Sequence, residues 1–364
     1  MDKLNVGIIG GGLITQIEHL PNLLALPRMF RVAGVVDPSA SVRAHIAARW
    51  NVPVFETAEA LFSLPLDGVV IATPDCYHAE LCVMALESGL HVFCEKPLCY
   101  APDEADAVTQ ARDHAGRVVQ LGYMKRFDPA FRQLRELVAG HGERLRYLSV
   151  EVNDPDFWPF VAHRDYLEGK DVAPHLIEDA KARRHAQVAH ALGVEPGPVV
   201  EIGYAKPYCS SLVHDVNLGH GLLDAMGLAT GAIATANFFA ASEGGQAAVR
   251  LIPGDALWTM THVAVPKLAD YIERVSLFFD DRIFELAFPS PYLNHHPTRL
   301  IEKVSSGHHA RTIEHRPSYQ EAFVEELKAW WSAIVEGGPV ENSVEQAKRD
   351  VALLAACGRL AAGG

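Results

Sequence analysis

Residues 69–98 read VVIATPDCYHAELCVMALESGLHVFCEKPL. The apolar run from Val69 to Ala72 reads as a buried strand that stops at Thr73-Pro74. A helical stretch follows, with Leu81, Ala85 and Leu86 at core spacing and Gly89 as its stop signal. A second short apolar strand, His91 to Cys94, then delivers Glu95-Lys96-Pro97. Pro97 has no N–H with which to continue a ladder, so this strand ends there and leaves Lys96 at its carboxyl end. Open parallel sheets place their ligands at that edge.

Upstream, Leu4 to Gly10 is another short buried strand, and it runs into Gly10-Gly11-Gly12-Leu13-Ile14-Thr15. The spacing is G-x-G-x-x-T, so the dinucleotide fingerprint lacks its third glycine here. Its first glycine allows a tight turn and its second lets backbone approach a pyrophosphate at a helix N-terminus. Gly10, Gly12, Leu13 and Ile14 are therefore candidate cofactor-binding positions, against the plainer reading of a ligand-free turn. The strand from Arg31 to Val36 ends in Asp37. A carboxylate there accepts both ribose hydroxyls of NAD and repels a 2′-phosphate, so NAD is expected over NADP. Arg43 would work the other way, and a helix N-cap is the competing role for Asp37. Thr73 and Pro74 sit at a further strand end, where a nicotinamide ribose would lie. His78 opens the next helix, where cofactor contact competes with capping.

Helix 39–50, strand 67–73, helix 76–88, strand 91–95, helix 102–114 and strand 117–122 continue the alternation. This predicts an α/β, doubly wound parallel sheet. Residues 120–129 (QLGYMKRFDP) close that half, and the alternation stops after Pro129. Residues 145–153 alternate like an antiparallel strand, and a helix is expected near 174–193. Strands at 232–241, 246–252, 257–263, 272–279, 283–289 and 298–304 then predict an α+β domain. It has a large, mostly antiparallel open sheet with helices on one face. The expected organisation is thus a nucleotide-binding domain over 1–126 and a substrate-binding and oligomerisation domain over 127–364. The last helix is a candidate to pack back on the first domain. Ser318-x-x-Glu321 and Ser343-x-x-Gln346 read as capping boxes. Phe323, Leu327, Trp330, Trp331 and Ile334 form one apolar helical stripe, which makes the two tryptophans core residues.

The composition, 49% hydrophobic and 21% charged over 364 residues, is that of a soluble globular chain long enough for two cores. A net charge of −13 argues against nucleic acid and anionic membrane surfaces. Arg183-Arg184 reads as the solvated face of a helix. The six cysteines (76, 82, 94, 99, 209, 357) form no CxxC pair, which suits reduced thiols in the cytoplasm. No secretory leader or membrane-length apolar run is read. The paired histidines 295–296 and 308–309 lack ligand spacing, so no metal is expected.

A polar cluster, Ser210-Ser211-Leu212-Val213-His214-Asp215-Val216-Asn217, is expected to open a long helix to Met226. His214 is the candidate imidazole of the second half, with a buried structural histidine as the competing reading. At this point the chain resembles the glucose–fructose oxidoreductase / inositol dehydrogenase / MocA family. The resemblance rests on GIIGGGLIT (7–15), ATPDCYHAE…ALESGLHVFCEKPL (72–98), GYMKRFDPA (122–130), HDVN (214–217) and SYQEAFVEEL (318–327). It implies a Rossmann domain followed by an α+β domain whose open sheet forms a homodimer or homotetramer interface. It also implies Lys96 and His214 as the catalytic pair. Many polyol-oxidising relatives carry an aspartate four residues before that histidine; here the position is Ser210, and Asp215 is a substitute carboxylate. An inositol-dehydrogenase-like pose puts Met124, Lys125 and Asn153 at the substrate alongside Lys96, His214 and Asp215, with Arg126, Tyr123 and His262 as weaker candidates.

The resulting expectation is an NAD-dependent enzyme that oxidises a secondary hydroxyl of a sugar, sugar derivative, glycoside or cyclitol. Lys96 would orient the hydroxyl and share its proton with His214, its own pKa lowered by burial and a cationic neighbour. Glu95 would orient Lys96 or the cofactor. Two rivals remain at this level: a glycosidase or lyase that keeps NAD bound and oxidises its sugar transiently, and a cofactor-binding sensor without turnover.

Overall fold

The computed structural model describes residues 3–240 and 243–363. The chain divides into two compact units, the first made of residues 1–123, 163–191 and 323–351, the second of 124–162, 192–322 and 352–364. Sequence alone placed one boundary, at 126/127; the chain passes between the units several times.

In the first unit, six strands form one parallel sheet: β1 (Leu4–Ile9), β2 (Phe30–Val36), β3 (Val54–Phe55), β4 (Gly68–Ile71), β5 (His91–Cys94) and β6 (Val119–Leu121). Their order is β3-β2-β1-β4-β5-β6, the doubly wound arrangement with a switch point beside β1. The strands read as near-continuous apolar runs because helices cover both faces; all four residues of β4 are buried. Trp330 stacks on Phe30 and meets Phe93 edge-on, so the stripe on helix Ala322–Val335 is core, as its periodicity implied.

The two capping boxes fare differently. Around Ser343 the box forms: the Gln346 side chain accepts from Ser343 N at 2.9 Å, and Ser343 Oγ accepts from Gln346 N at 3.4 Å. Around Ser318 it does not. Ser318 Oγ accepts from Gln320 N instead, and the Glu321 carboxylate accepts from His295 N, a partner no local motif reveals.

The second unit is built on an eight-stranded sheet. Its strands are β7 (Leu145–Asp154), β8 (Ala229–Phe239), β9 (Gly244–Ile252), β10 (Leu257–Ala264), β11 (Ile272–Phe279), β12 (Arg282–Phe288), β13 (Arg299–Ser306) and β14 (His309–His315). Their order is β14-β13-β12-β11-β7-β10-β9-β8, antiparallel throughout except for the β7–β10 pair. The expectation of an α/β unit and an α+β unit with a mostly antiparallel sheet is borne out. Residue 241, the end of the expected 232–241 strand, lies outside the described residues. Strand β14 was not foreseen, because HARTIEH carries no apolar alternation; it is an exposed edge strand paired, among the described residues, with β13 alone.

Helices Pro129–Val138 and Val213–Met226 lie against this sheet. Helical winding runs without a break from Pro198 to Met226, and Tyr204–Leu212 is π-wound. Ser210 therefore does not open a helix, contrary to the sequence reading; it sits exposed within one. Pro207 lacks the N–H of a regular turn, and the wider winding absorbs that interruption.

Candidate active site

The glycine turn is built around a close approach of two strand ends. Gly10 has φ +100°, and a Cβ there would stand 2.2 Å from Ala72 O. No side chain fits between the ends of β1 and β4. Gly11 N donates to Asp37 Oδ2 at 2.8 Å, and Ser39 N donates to Asp37 Oδ1 at 2.8 Å. Asp37 thus ties the turn to the end of β2. Burial raises its pKa, against the opposing pull of those two amides and Arg43. The N-cap role once open to Asp37 belongs to Ser39, whose Oγ accepts from Val42 N. Arg43, weighed as a phosphate partner, directs one guanidinium nitrogen to the carbonyls of Asp37 and Pro38 at 2.7 and 3.0 Å.

Gly12 behaves differently from Gly10. It is exposed, and nothing lies within 4 Å of the Cβ it lacks. Protein packing gives no reason for a glycine there, whereas a pyrophosphate passing over the turn does. Leu13 and Ile14 begin the helix that follows, which is π-wound over Thr15–His19. Thr15 Oγ1 donates to Gly10 O at 2.6 Å, so the residue standing where the fingerprint has its third glycine braces the turn. By this test the residues fit a dinucleotide.

Along the same sheet edge, Lys96 follows β5, half-buried, and donates its backbone N–H to Glu95 Oε2 at 3.2 Å. The other Glu95 oxygen lies 2.7 Å from His19 Nε2. Burial works to raise the Glu95 carboxyl, but the His19 contact and the Lys96 charge outweigh it, and its pKa is lowered. His19 was not singled out in the sequence; it stands four positions after Thr15, on the buried side of the first helix. His78 is buried with Nδ1 2.7 Å from Pro97 O and Nε2 3.0 Å from Thr73 O. It bridges the ends of β4 and β5, so Thr73, Pro74, His78 and Lys96 form one continuous rim.

The second unit carries its own polar cluster. Lys125 Nζ lies 3.5 Å from Asp215 Oδ1 and forms a short ion pair with Glu273 Oε1. Tyr271 donates its hydroxyl to Glu273 Oε2 at 2.6 Å. The three charged side chains are 7%, 0% and 1% exposed. Burial alone would lower the Lys125 pKa, but the two carboxylates raise it, so the ammonium persists. Burial drives the Asp215 carboxyl well up despite the Lys125 charge, and among the described residues its Oδ2 has no hydrogen-bond partner. One ammonium thus stands between two buried carboxyl groups, and burial pushes the Asp215 carboxyl up. Sequence reasoning paired neither Glu273 nor Tyr271 with this cluster. The signal was present: Glu273 shares the in-facing phase of β11 with Val275 and Leu277.

His214 is half-buried at the start of the helix that carries Asp215, directly after the π-wound stretch. Single π turns recur at functional sites. Met124 is buried, Asn153 lies on β7 opposite Val263 and Ile272, and His262 faces Asp154 at 3.6 Å. Arg126 is occupied in fixing the helix: its guanidinium donates to Asn217 O at 2.7 Å and to Asn217 Oδ1 at 3.0 Å. The Tyr123 carbonyl accepts from Asn342 Nδ2 at 3.0 Å in the first unit.

A parallel sheet with a glycine turn and an acid ending β2 defines a dinucleotide-binding domain of the Rossmann type. Residues 4–123 match the family described as "Oxidoreductase family, NAD-binding Rossmann fold". Over that stretch the chain is similar to the glucose–fructose oxidoreductase / inositol dehydrogenase / MocA family. It is 28% identical over 195 residues to inositol 2-dehydrogenase 3 of Saccharopolyspora erythraea, covering 53% of this chain and 57% of that one. It is 38% identical over 154 residues to inositol 2-dehydrogenase of Leifsonia xyli subsp. xyli, covering 40% and 43%. The matches thus span about half the length of these relatives. The fold as a whole is similar to that of UDP-N-acetylglucosamine 3-dehydrogenase GnnA from Acidithiobacillus ferrooxidans (TM-score 0.72, 22% identity, 99% and 98% coverage). It is also similar to that of the 3-ketoreductase KijD10 from Actinomadura kijaniata in complex with NADP and TDP-benzene (TM-score 0.70, 19% identity, 98% and 97% coverage). Among the described residues no helix is long and apolar enough to cross a membrane, and no group of three or more metal-ligating side chains occurs.

Proposed function

We propose that the protein is an NAD-dependent oxidoreductase acting on a secondary hydroxyl of a sugar, sugar derivative or cyclitol. The observation that carries this reading is the rim formed by Thr73, His78 and Lys96 in line with the turn at Gly10–Gly12 and Asp37. The inositol and nucleotide-sugar dehydrogenases among the similar proteins support the substrate class.

Gly12, Leu13 and Ile14 would hold the pyrophosphate, Asp37 the adenosine ribose, and Thr73, Pro74, Glu95 and Lys96 the nicotinamide end. When bound, the cofactor would supply the hydride acceptor for the carbinol hydrogen. The chain supplies the acid–base chemistry. Lys96 takes the proton of the substrate hydroxyl, and His214 shares it, so that loss of H⁻ and H⁺ together leaves a ketone. In the reductive direction the same pair returns the proton to the carbonyl oxygen. Glu95, fixed by His19, positions Lys96 through its backbone amide. Met124, Lys125, Asn153 and Asp215 belong to the substrate side in this reading. The exposed face of the eight-stranded sheet is the proposed contact surface of a homodimer or homotetramer. The six cysteines are buried and, among the described residues, outside any disulfide, which supports a reducing, cytoplasmic setting.

The test is a panel of cyclitols, free sugars and glycosides with NAD or NADP, followed by nicotinamide absorbance and glycoside cleavage in the same tubes. NADH accumulating with a polyol supports the proposal. Cleavage without net NADH contradicts it in favour of an internal-redox glycosidase.

A further inference from the structure

Residues 163–191 belong to the first compact unit, although strands of the second precede and follow them in the chain. Their path there is specific. Leu167 exchanges two hydrogen bonds with the Gln16 side chain, at 2.9 and 3.1 Å, just after the glycine turn. Gly169 lies flat on the start of helix Ala40–Trp50, where a Cβ would come within 2.8 Å of Ser39 Oγ. Two residues later, Asp171 accepts a short hydrogen bond from Ser39 Oγ, one from Ser41 Oγ at 2.7 Å, and one from Ser41 N at 2.9 Å. Helix Pro174–Leu192 is then latched down by Tyr77 to Asp179 at 2.7 Å, Arg183 to Glu80 at 2.6 Å and Arg184 to Asp75 at 3.2 Å. Arg183 and Arg184 stay part-exposed, as a solvated helix face implies, while bridging to Glu80 and Asp75.

We propose that Asp171 occupies the position a cofactor 2′-phosphate would take, and so selects NAD against NADP from within the chain. This rests on reading the first unit as the nicotinamide-cofactor unit. Asp37 ends β2 and faces the ribose hydroxyls in that reading, so a phosphate on the 2′-oxygen must find donors immediately beyond it. The donors there are the Ser39 hydroxyl and the Ser41 hydroxyl and amide, at the N-terminus of a helix, a set well suited to a phosphate. All three already serve Asp171. Arg43, the nearby cation, is turned to the carbonyls of Asp37 and Pro38 and towards Glu56. A 2′-phosphate therefore has to displace one anion while lying beside another. The Ser39 hydroxyl foremost, with both Ser41 donors, holds the Asp171 carboxyl below the usual carboxylate range, so the occupant is charged at neutral pH.

The experiment is a calorimetric titration of the full chain with NAD and, separately, NADP, for the wild type, Asp171→Asn and Asp171→Ala. Wild type should prefer NAD. Asp171→Ala should tighten NADP binding by about tenfold or more while NAD changes less than about threefold, with Asp171→Asn between them because it removes charge but keeps the occupant. A merely structural cap would move both cofactors together. NAD binding with an unchanged NADP-to-NAD ratio in both variants overturns the proposal but leaves the cofactor reading intact. Wild type binding neither cofactor overturns the cofactor reading, and this inference with it.

Discussion

Replacing Lys125 with methionine removes the one ammonium that serves Asp215 and Glu273, while keeping most of the buried aliphatic volume. In the wild type one ammonium stands between the two buried carboxyl groups, and burial pushes the Asp215 carboxyl up. In the variant a buried carboxylate loses its counter-ion, and two outcomes bound the cost. Left charged, it is destabilising by about 3–5 kcal/mol, the usual penalty for breaking a buried pair from one side. If the cluster takes up a proton instead, the cost at pH 7 is the work of protonating a carboxyl of ordinary value near 4.3, about 3–4 kcal/mol at about 1.4 kcal/mol per pH unit. The second route gives a sign. A carboxyl whose folded value is raised costs nothing below its unfolded value and progressively more above it. The deficit should therefore shrink to about 1 kcal/mol at pH 5. Urea unfolding of wild type and Lys125→Met at pH 7 and pH 5 measures both numbers. Adding Glu273→Gln should recover most of the loss at pH 7. A deficit under about 1 kcal/mol at pH 7, or the same deficit at both pH values, would show that no buried carboxylate depends on the Lys125 ammonium in this way.

Glu326 offers the complementary case. Both its carboxyl oxygens are buried without a hydrogen-bond partner among the described residues, and burial, with Glu95 and Glu18 nearby, pushes its pKa well up. Glu326→Gln should stabilise the protein by up to about 3 kcal/mol at pH 7 and by little below pH 4.5, as read from denaturation midpoints across that range. Gly10→Ala, which drives a Cβ into Ala72 O, should cost about 3 kcal/mol or more in the same assay. Gly12→Ala should leave stability within about 0.5 kcal/mol yet weaken NAD binding about tenfold or more, separating the glycine that packing needs from the one the ligand needs.

Much of the first unit was legible because its signals are local. Apolar runs, glycine stops and Pro97 set strand ends within a few residues, and the strand ends set the rim. The stripe through Trp330 declared itself by period alone. What was not legible depends on contacts distant in sequence. Glu321 matches a capping box but finds His295; Asp171 has no local motif and finds Ser39 and Ser41 about 130 residues away. The π winding before His214 likewise leaves no periodic trace, because Pro207 reads as a break. In the second unit the strands were visible by alternation, but β14 was not, since an exposed edge needs no apolar face. Charged residues on an in-facing phase, such as Glu273, were the overlooked clue to the Lys125 cluster.

The role proposed for Lys96 is to carry the proton chemistry of a nicotinamide-dependent oxidation. Its most direct test pairs NAD titration with single-turnover nicotinamide absorbance for wild type and Lys96→Met, using whichever polyol the panel identifies. NAD affinity should stay within about threefold of wild type while hydride transfer slows by about 10²–10⁴-fold. Hydride transfer within about threefold of the wild-type rate, with cofactor still bound, would contradict that role.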